Sequence, residues 1–352
     1  MHKFCDQSGF RTAAPGNEAV AATQGQRPRI VLLGTGGTIA SSAAAATQLH
    51  DYSVTATIDA VLAAVPQVRE LASIRCEQIV NIDSHAIDNT VLLMIARRVQ
   101  AVLQESDVDG VVLTHGTDTL EETAYFLNLT LKSSKPIVIV GAMRPATALS
   151  ADGPLNLHSA FRLATCPDAH GKGVLVMLNE RIMAARHATK TDTTAVDAFR
   201  SCEQGSLGQI AGGAVHFFNA PTRLHTLDTE FCLAGIGELP QVDIVYDHQG
   251  AGVHLYRAAI EAGAKGIVLA ATGNGSLSPS ARTGAELARR QGVMFVRSSR
   301  VGQGVVSASG DDELLGLVSA NSLNPQKARM LLMLALGKTG DYRAVQRCFD
   351  RY

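Results

Sequence analysis

The sequence predicts an α/β protein with a larger N-terminal domain, a parallel sheet with flanking helices, followed by a smaller C-terminal α/β domain. Two observations lead there. Short β-branched runs alternate with helix-period segments, and the alternation starts afresh after about residue 240. The 352 residues exceed one typical domain and suffice for two sizeable cores.

The first run, "RIVLLG" (29–34), is apolar on both faces, as a strand buried between helices must be. "GVVLTHG" (110–116), "PIVIVGAM" (136–143) and "GVLVML" (173–178) read the same way. Between them, "DNTVLLMIARRVQAVLQE" and "LEETAYFLNLTLKSS" carry helical spacing, the second with Glu121 and Glu122 in its first turn. Asp118 or Thr119 stands where that helix needs an N-cap. In open sheets of this kind ligands bind outside the carboxyl ends of the strands. Two strands end in "GTGGT" and "THGTD", so both motifs belong to one edge. The stretch 219–240 has poor periodicity and reads as a linker between domains at 28–218 and 241–352. "VDIVYD", "AKGIVLAATGNG" and "VMFVRSSR" supply strands of the second domain. Residues 1–27, rich in Gly, Gln, Ala and Thr, are expected to form a poorly ordered leader.

Composition narrows the function. With 46% apolar and 18% charged residues and a net charge of −1, the chain reads as soluble and globular, with no field to draw in nucleic acid or an anionic membrane. No apolar run is long enough for a membrane span. The 5% aromatic content, without Trp, argues against a base-stacking platform. Six cysteines are scattered singly, which speaks against a zinc site or redox dithiol and for thiols in a reducing compartment. No metal or other cofactor is expected. The first residues lack an apolar h-region, so a cytoplasmic location is expected, with the periplasm as the alternative.

The glycine loop "GTGGTIA" (34–40) poses the chemical question. A dinucleotide loop wants a final glycine for close helix–strand packing, but that position is Ile39. No acidic residue in strand context follows where a ribose would need one, and the Walker pattern is absent. The alternative is a hydroxyl nucleophile, which needs a proton route and donors for an oxyanion. Thr38 is the candidate. Partners come from "THGTDT" (114–119), with Thr117 and Asp118, and from "ATKTDTT" (188–194), with Lys190. A lysine beside a carboxylate and a hydroxyl makes a proton relay.

Together these segments resemble the bacterial L-asparaginases and the homologous glutaminase-asparaginases, most nearly the type II-like group. "TGGTIA" and "THGTDTLEETAYFL" are similar to the two signatures of that family, and "KPIVIVGAMRP", "SADGPLNL", "TKTDTT", "TGNGSL", "RSSRV" and "SLNPQKAR" extend the resemblance to the C-terminus. The resemblance implies the asparaginase/glutaminase fold and the hydrolysis of L-asparagine to L-aspartate and ammonia through a threonyl acyl-enzyme. On it, Thr38 matches the nucleophile and Tyr52 the tyrosine of a mobile flap. Thr117, Asp118 and Lys190 match a second cluster that activates a hydroxyl or water; which threonine attacks first stays open. Ser84 matches a carboxylate-binding serine, Asp118 doubles as acceptor for the substrate ammonium, and the carbonyl of Ala142 matches the contact to the amide nitrogen. Asn274 matches a residue lent by a neighbouring subunit, and the family assembly is a homotetramer built as a dimer of intimate dimers.

The sequence departs from the family in three places. His85 stands where an ammonium-binding Gln or Glu is usual, and a charged imidazole there would repel the ammonium. Ser309 aligns with a glutamate from the neighbouring subunit. Asp83 replaces a glycine. The altered pocket suggests a relaxed choice between asparagine and glutamine, so a dual-specificity glutaminase-asparaginase is the nearest alternative. A non-catalytic amino-acid sensor is the alternative from another class, and an amidotransferase subunit would require a tRNA-facing module that the sequence does not display. Plainer roles are expected for His115, structural in a strand-end turn, for Asp152 and Gly153, turn residues supporting the site, and for Asn156 and His158, satisfying backbone groups. Arg297 and Arg300 are expected in interface ion pairs, and Glu121 and Glu122 as partners of the helix dipole.

Overall fold

The computed structural model describes residues 27–352, so the expected leader lies outside the described residues save for Arg27. Eight strands form the large sheet: β1 (Arg29–Gly36), β2 (Ser73–Ile82), β3 (Gly110–Thr114), β4 (Ile137–Val140), β5 (Val174–Leu178), β6 (Arg181–Ala184), β7 (Gly208–Ala211) and β8 (Ala214–Phe217). Their spatial order is β8-β7-β6-β5-β4-β3-β1-β2. Parallel pairing, as expected, runs from β2 through β5. Beyond β5 the sheet turns antiparallel.

Chain connectivity explains that change. Parallel neighbours need a crossover of a dozen or more residues, whereas antiparallel ones need only a tight turn. β5 and β6 are joined by Asn179 and Glu180, both with positive φ, and β7 and β8 by Gly212 and Gly213, likewise positive. Two consecutive residues with φ > 0 form the hairpin turn whose twist suits flanking strands.

Helices cover both faces. α1 (Ile58–Ala63) and α4 (Gly153–Ala164) lie on one side, where Leu62, Leu157 and Phe161 pack against Leu32, Val112 and Val138. α2 (Asn89–Gln104) and α3 (Leu120–Thr130) lie on the other. The C-terminal sheet is fully parallel and in chain order: β9 (Val242–Tyr246), β10 (Gly266–Ala271), β11 (Met294–Ser299) and β12 (Leu317–Ser319). α5 (His254–Glu261) and α6 (Pro279–Arg290) cover its outer face, and α7 (Gly310–Leu315) precedes β12. α8 (Pro325–Leu336) and α9 (Tyr342–Arg351) complete the chain. Their apolar side chains join Val242, Val268, Val296 and Val318 of the small sheet to α2 and α3 in one continuous core.

Candidate active site

The large sheet brings four loops together at the carboxyl ends of β1, β2, β3 and β4. Glycine makes the approach possible. Gly37 has φ 81°, and a Cβ on it would stand 2.3 Å from the Cα of Gly116. A Cβ on Gly116 would in turn meet the Ser84 hydroxyl at 2.8 Å. Only hydrogen fits at either position, so "GGT" and "HGT" touch backbone to backbone. The Gly37 N–H donates to Ile82 O at 3.1 Å and the His115 N–H to Val140 O at 2.9 Å, tying in the loops after β2 and β4.

Thr38 opens a 3₁₀ turn immediately after Gly37 and is 6% exposed. Its hydroxyl lies 3.0 Å from that of Tyr52. Tyr52 comes from the loop spanning 43–52, which is closed by a two-residue antiparallel ladder between Ser41–Ser42 and Ser53–Val54. Thr117, 4% exposed, follows Gly116 in the turn between β3 and α3. Lys190 lies on a second short ladder, Thr189–Lys190 against Phe199–Arg200. Its Nζ donates to Thr117 Oγ1 at 3.0 Å and to Asp118 Oδ1 at 2.7 Å. The lysine is 18% exposed and the aspartate 61%, so this ion pair has one partly buried and one solvated end.

Asp118 therefore does not cap α3. Thr119 holds the N-cap position without a side-chain cap bond. Instead its N–H donates to Ser84 Oγ at 3.3 Å and its hydroxyl to Ser84 O at 2.8 Å. Ser84 is buried, while neighbouring His85 is exposed. Ala142 is fully buried. The main chain beyond it is pinned by Asp152, whose carboxylate accepts the N–H groups of Met143 and Arg144 at 2.9 Å each. Asn156 donates to Gly141 O at 3.1 Å and accepts from the Asn179 N–H. His115 is entirely buried; burial lowers its pKa to about 4, and the ring Nδ1 lies 2.7 Å from Gly116 O. A neutral ring so placed suits the structural role expected of it.

Among the described residues, no group of three or more His, Cys, Asp or Glu side chains is arranged to hold a metal, and no helix is long and apolar enough to cross a membrane. What the site offers is two buried hydroxyls, each with a proton-exchanging partner. One faces a phenol and the other an amine with a carboxylate behind it. Such a pairing suits acyl transfer.

The two halves of the chain match separate family models. The asparaginase N-terminal model covers residues 29–223, and the glutaminase/asparaginase C-terminal model covers 241–349. The chain belongs to the asparaginase family. It is 52% identical to L-asparaginase 2 of Bacillus subtilis over 96% of this chain and 90% of that one. The glutaminase-asparaginase of Pseudomonas fluorescens is 43% identical over 97% and 95%. The crystal structure of a probable cytoplasmic L-asparaginase from Campylobacter jejuni has a TM-score of 0.91 and 46% identity, covering 93% of this chain and all of that one.

Two residues singled out from this asparaginase's sequence stand apart. Asn274 exchanges hydrogen bonds with Ser307, its Oδ1 accepting from the N–H at 2.9 Å and its Nδ2 donating to the hydroxyl at 3.2 Å. It lines a cavity of about 270 Å³ with Arg186, Thr189 and Lys327, to which Thr38 and Thr117 do not contribute. Ser309 opens α7, and its N–H donates to Asp312 at 2.8 Å. Among the described residues, neither hydrogen-bonds the threonine cluster.

Arg297 corrects an expectation. It is 3% exposed and forks onto Asp312 of its own chain at 2.6 and 2.7 Å, not across an interface. Its remaining donors reach Gly275 O and Ser307 O, so it fixes the loop that carries Asn274. Arg300 likewise donates within the chain, to Asp247 O. Glu121 keeps its expected place in the first turn of α3 and has a further role. Its carboxylate is buried and paired with Lys327 of α8 at 2.9 Å, a partner that helix periodicity alone does not disclose.

Proposed function

We propose that this protein hydrolyses L-asparagine to L-aspartate and ammonia. The observation that carries the reading is Lys190 Nζ bridging Thr117 and Asp118 beside the Thr38–Tyr52 pair. In this reading the Thr38 hydroxyl, held by Tyr52, attacks the side-chain amide carbon, its proton passes to the amide nitrogen, and the C–N bond breaks as ammonia departs. A water activated by Thr117 and Lys190 then hydrolyses the ester and returns Thr38 to its free hydroxyl. Lys190 must pass its ammonium proton on before it can accept one, and Asp118, largely solvated, offers the exit. Ser84 would bind the α-carboxylate, Asp118 the α-ammonium, and the Ala142 carbonyl the departing nitrogen.

Asn274 and Ser309 hydrogen-bond Ser307 and Asp312 and not the threonines of their own chain, which supports a site completed by a second subunit in a homotetramer of intimate dimers. Light scattering of the purified protein tests that arrangement. The likeness to a probable cytoplasmic relative supports a cytoplasmic enzyme, which cell fractionation tests. Glutaminase-asparaginases among the relatives, and an exposed His85 with Ser309 where acidic or amide groups are usual, favour a second reading: activity on both amides.

Ammonia release from L-asparagine and L-glutamine over a concentration series, with Thr38→Ala alongside, tests these readings. The Thr38→Ala enzyme is expected to lose activity by about 10³-fold or more. Ammonia released at an unchanged rate by Thr38→Ala sinks the mechanism. Binding of asparagine without turnover by the wild type favours the sensor.

A further inference from the structure

The segment that carries Lys190 has little rigidity of its own. Among the described residues, Thr189–Lys190 pairs only with Phe199–Arg200, in a ladder of two residues on each side outside the large sheet. A lysine has four rotatable side-chain bonds, so holding its Nζ 3.0 Å from a hydroxyl needs a fixed backbone beneath it.

That backbone is gripped from below by two buried charged groups, Glu121 and Lys327. Glu121, in the first turn of the helix that follows Asp118, is 5% exposed. Its Oε2 accepts from the Thr189 hydroxyl at 2.7 Å, from Asn324 Nδ2 at 2.8 Å and from Lys327 Nζ at 2.9 Å, and its Oε1 accepts from Gln326 Nε2 at 3.1 Å. Lys327, 2% exposed, also donates to the Thr189 hydroxyl at 3.2 Å and to the carbonyl of Ala188. All three ammonium protons thus have acceptors. Burial would raise the Glu121 carboxyl, but Lys327 and the hydrogen bonds from Thr189 and Asn324 hold it below the ordinary carboxylate range. A buried pair with every donor and acceptor met has one arrangement, which is how such groups fix geometry.

The clamp therefore takes hold of both partners in the proton relay. Glu121 belongs to the helix that begins just after Thr117 and Asp118, and Thr189 immediately precedes Lys190. We propose that Glu121 and Thr189, locked by Lys327, are positioning residues that hold Lys190 against Thr117 and Asp118. The proposal rests on the reading of Lys190 as part of the relay. None of the three reaches the reacting atoms; they act through Lys190.

Thr189→Val removes only the hydroxyl and keeps the shape and the Glu121–Lys327 pair, while Thr189→Ser restores the hydroxyl. Two quantities are compared in the intact protein: steady-state kinetics with asparagine, and the rate of reductive methylation of Lys190 read by mass spectrometry. Thr189→Val is expected to lower kcat by about 10- to 100-fold, as a misplacement of an ångström can. Its KM should change less than about threefold, Lys190 should be labelled several-fold faster, and Thr189→Ser should restore both. Glu121→Gln, confirmed folded by circular dichroism, should act in the same direction. A Thr189→Val protein with a lower Tm but wild-type kcat and wild-type Lys190 labelling would reduce the network to a stabilising contact and overturn the proposal. A wild type that releases no ammonia would defeat the functional reading, while the labelling comparison would still decide the clamp.

Discussion

Thr38 meets Tyr52 through one hydroxyl contact, made from a loop whose middle is exposed, whereas Thr117 meets Lys190 above a buried, fully paired polar network. The Tyr52 loop is tied down sparsely, by the Leu149 N–H to Ala46 O, the Ala43 N–H to the Thr147 hydroxyl, and the short ladder at its base. The contrast follows the tasks the two halves would have. A loop that must let substrate in and ammonia out needs low local stability. A relay that moves protons needs fixed distances.

The largest expected effect bears on the rigid half. Lys190→Met should lower kcat for asparagine by about 10²- to 10⁴-fold, the usual worth of a positioned acid–base group. Stopped-flow and steady-state assays at matched substrate saturation measure it. Tyr52→Phe, acting on the sparsely tied loop, should cost only about 2- to 10-fold in kcat/KM, the loss of one hydrogen bond of roughly 0.5–1.5 kcal/mol. A Tyr52→Phe defect as deep as that of Lys190→Met would break the comparison and make the loop an equal chemical partner.

The smallest effect is read in stability. Glu122, beside Glu121 in the first turn of α3, has its pKa raised to about 7 from an ordinary 4.5, chiefly by burial and against the pull of Arg329. The folded state then holds this proton more tightly than the unfolded one. Its contribution to stability is fully present below pH 4.5 and is lost as pH rises through 7. His115, depressed by burial from 6.5 to about 4, works in the opposite sense, its contribution being lost as pH falls through that window. The Tm of wild type minus that of Glu122→Gln should therefore decline between pH 4.5 and 7, since the histidine is common to both proteins. A difference in Tm that stays flat with pH would show Glu122 to be ordinary.

The parallel strands were legible because burial on both faces leaves an unbroken apolar run, as in β1, β3, β4 and β5. β2 escaped because it is an edge strand: in "SIRCEQIVNI" polar residues sit on the open side and no continuous run forms. The β7–β8 hairpin did carry a signal, Gly212–Gly213 between short alternating strands, which the regular βαβ rhythm masked. Thr38, Thr117, Asp118 and Lys190 stood out only when their segments were taken together, since each alone has a commonplace structural use. Glu121 and Lys327, 206 residues apart, gave no local sign of their pairing; a glutamate in a helix's first turn already has an explanation in the dipole. Lys327, three residues ahead of the apolar run "MLLMLAL", was the one hint that α8 buries a charge.

The continuous core through α2, α3, α8 and the small sheet has a consequence for how the molecule comes apart. Two sheets suggest two melting units, yet Val268 and Val296 share their apolar surroundings with Leu127 and Phe126, and Glu121 finds its counter-charge on the far side. Severed from residues 241–352, the first half would expose that surface and strand a buried carboxylate. Calorimetry should accordingly record one cooperative endotherm for the whole chain, and expression of either half alone should yield aggregate in place of a folded fragment.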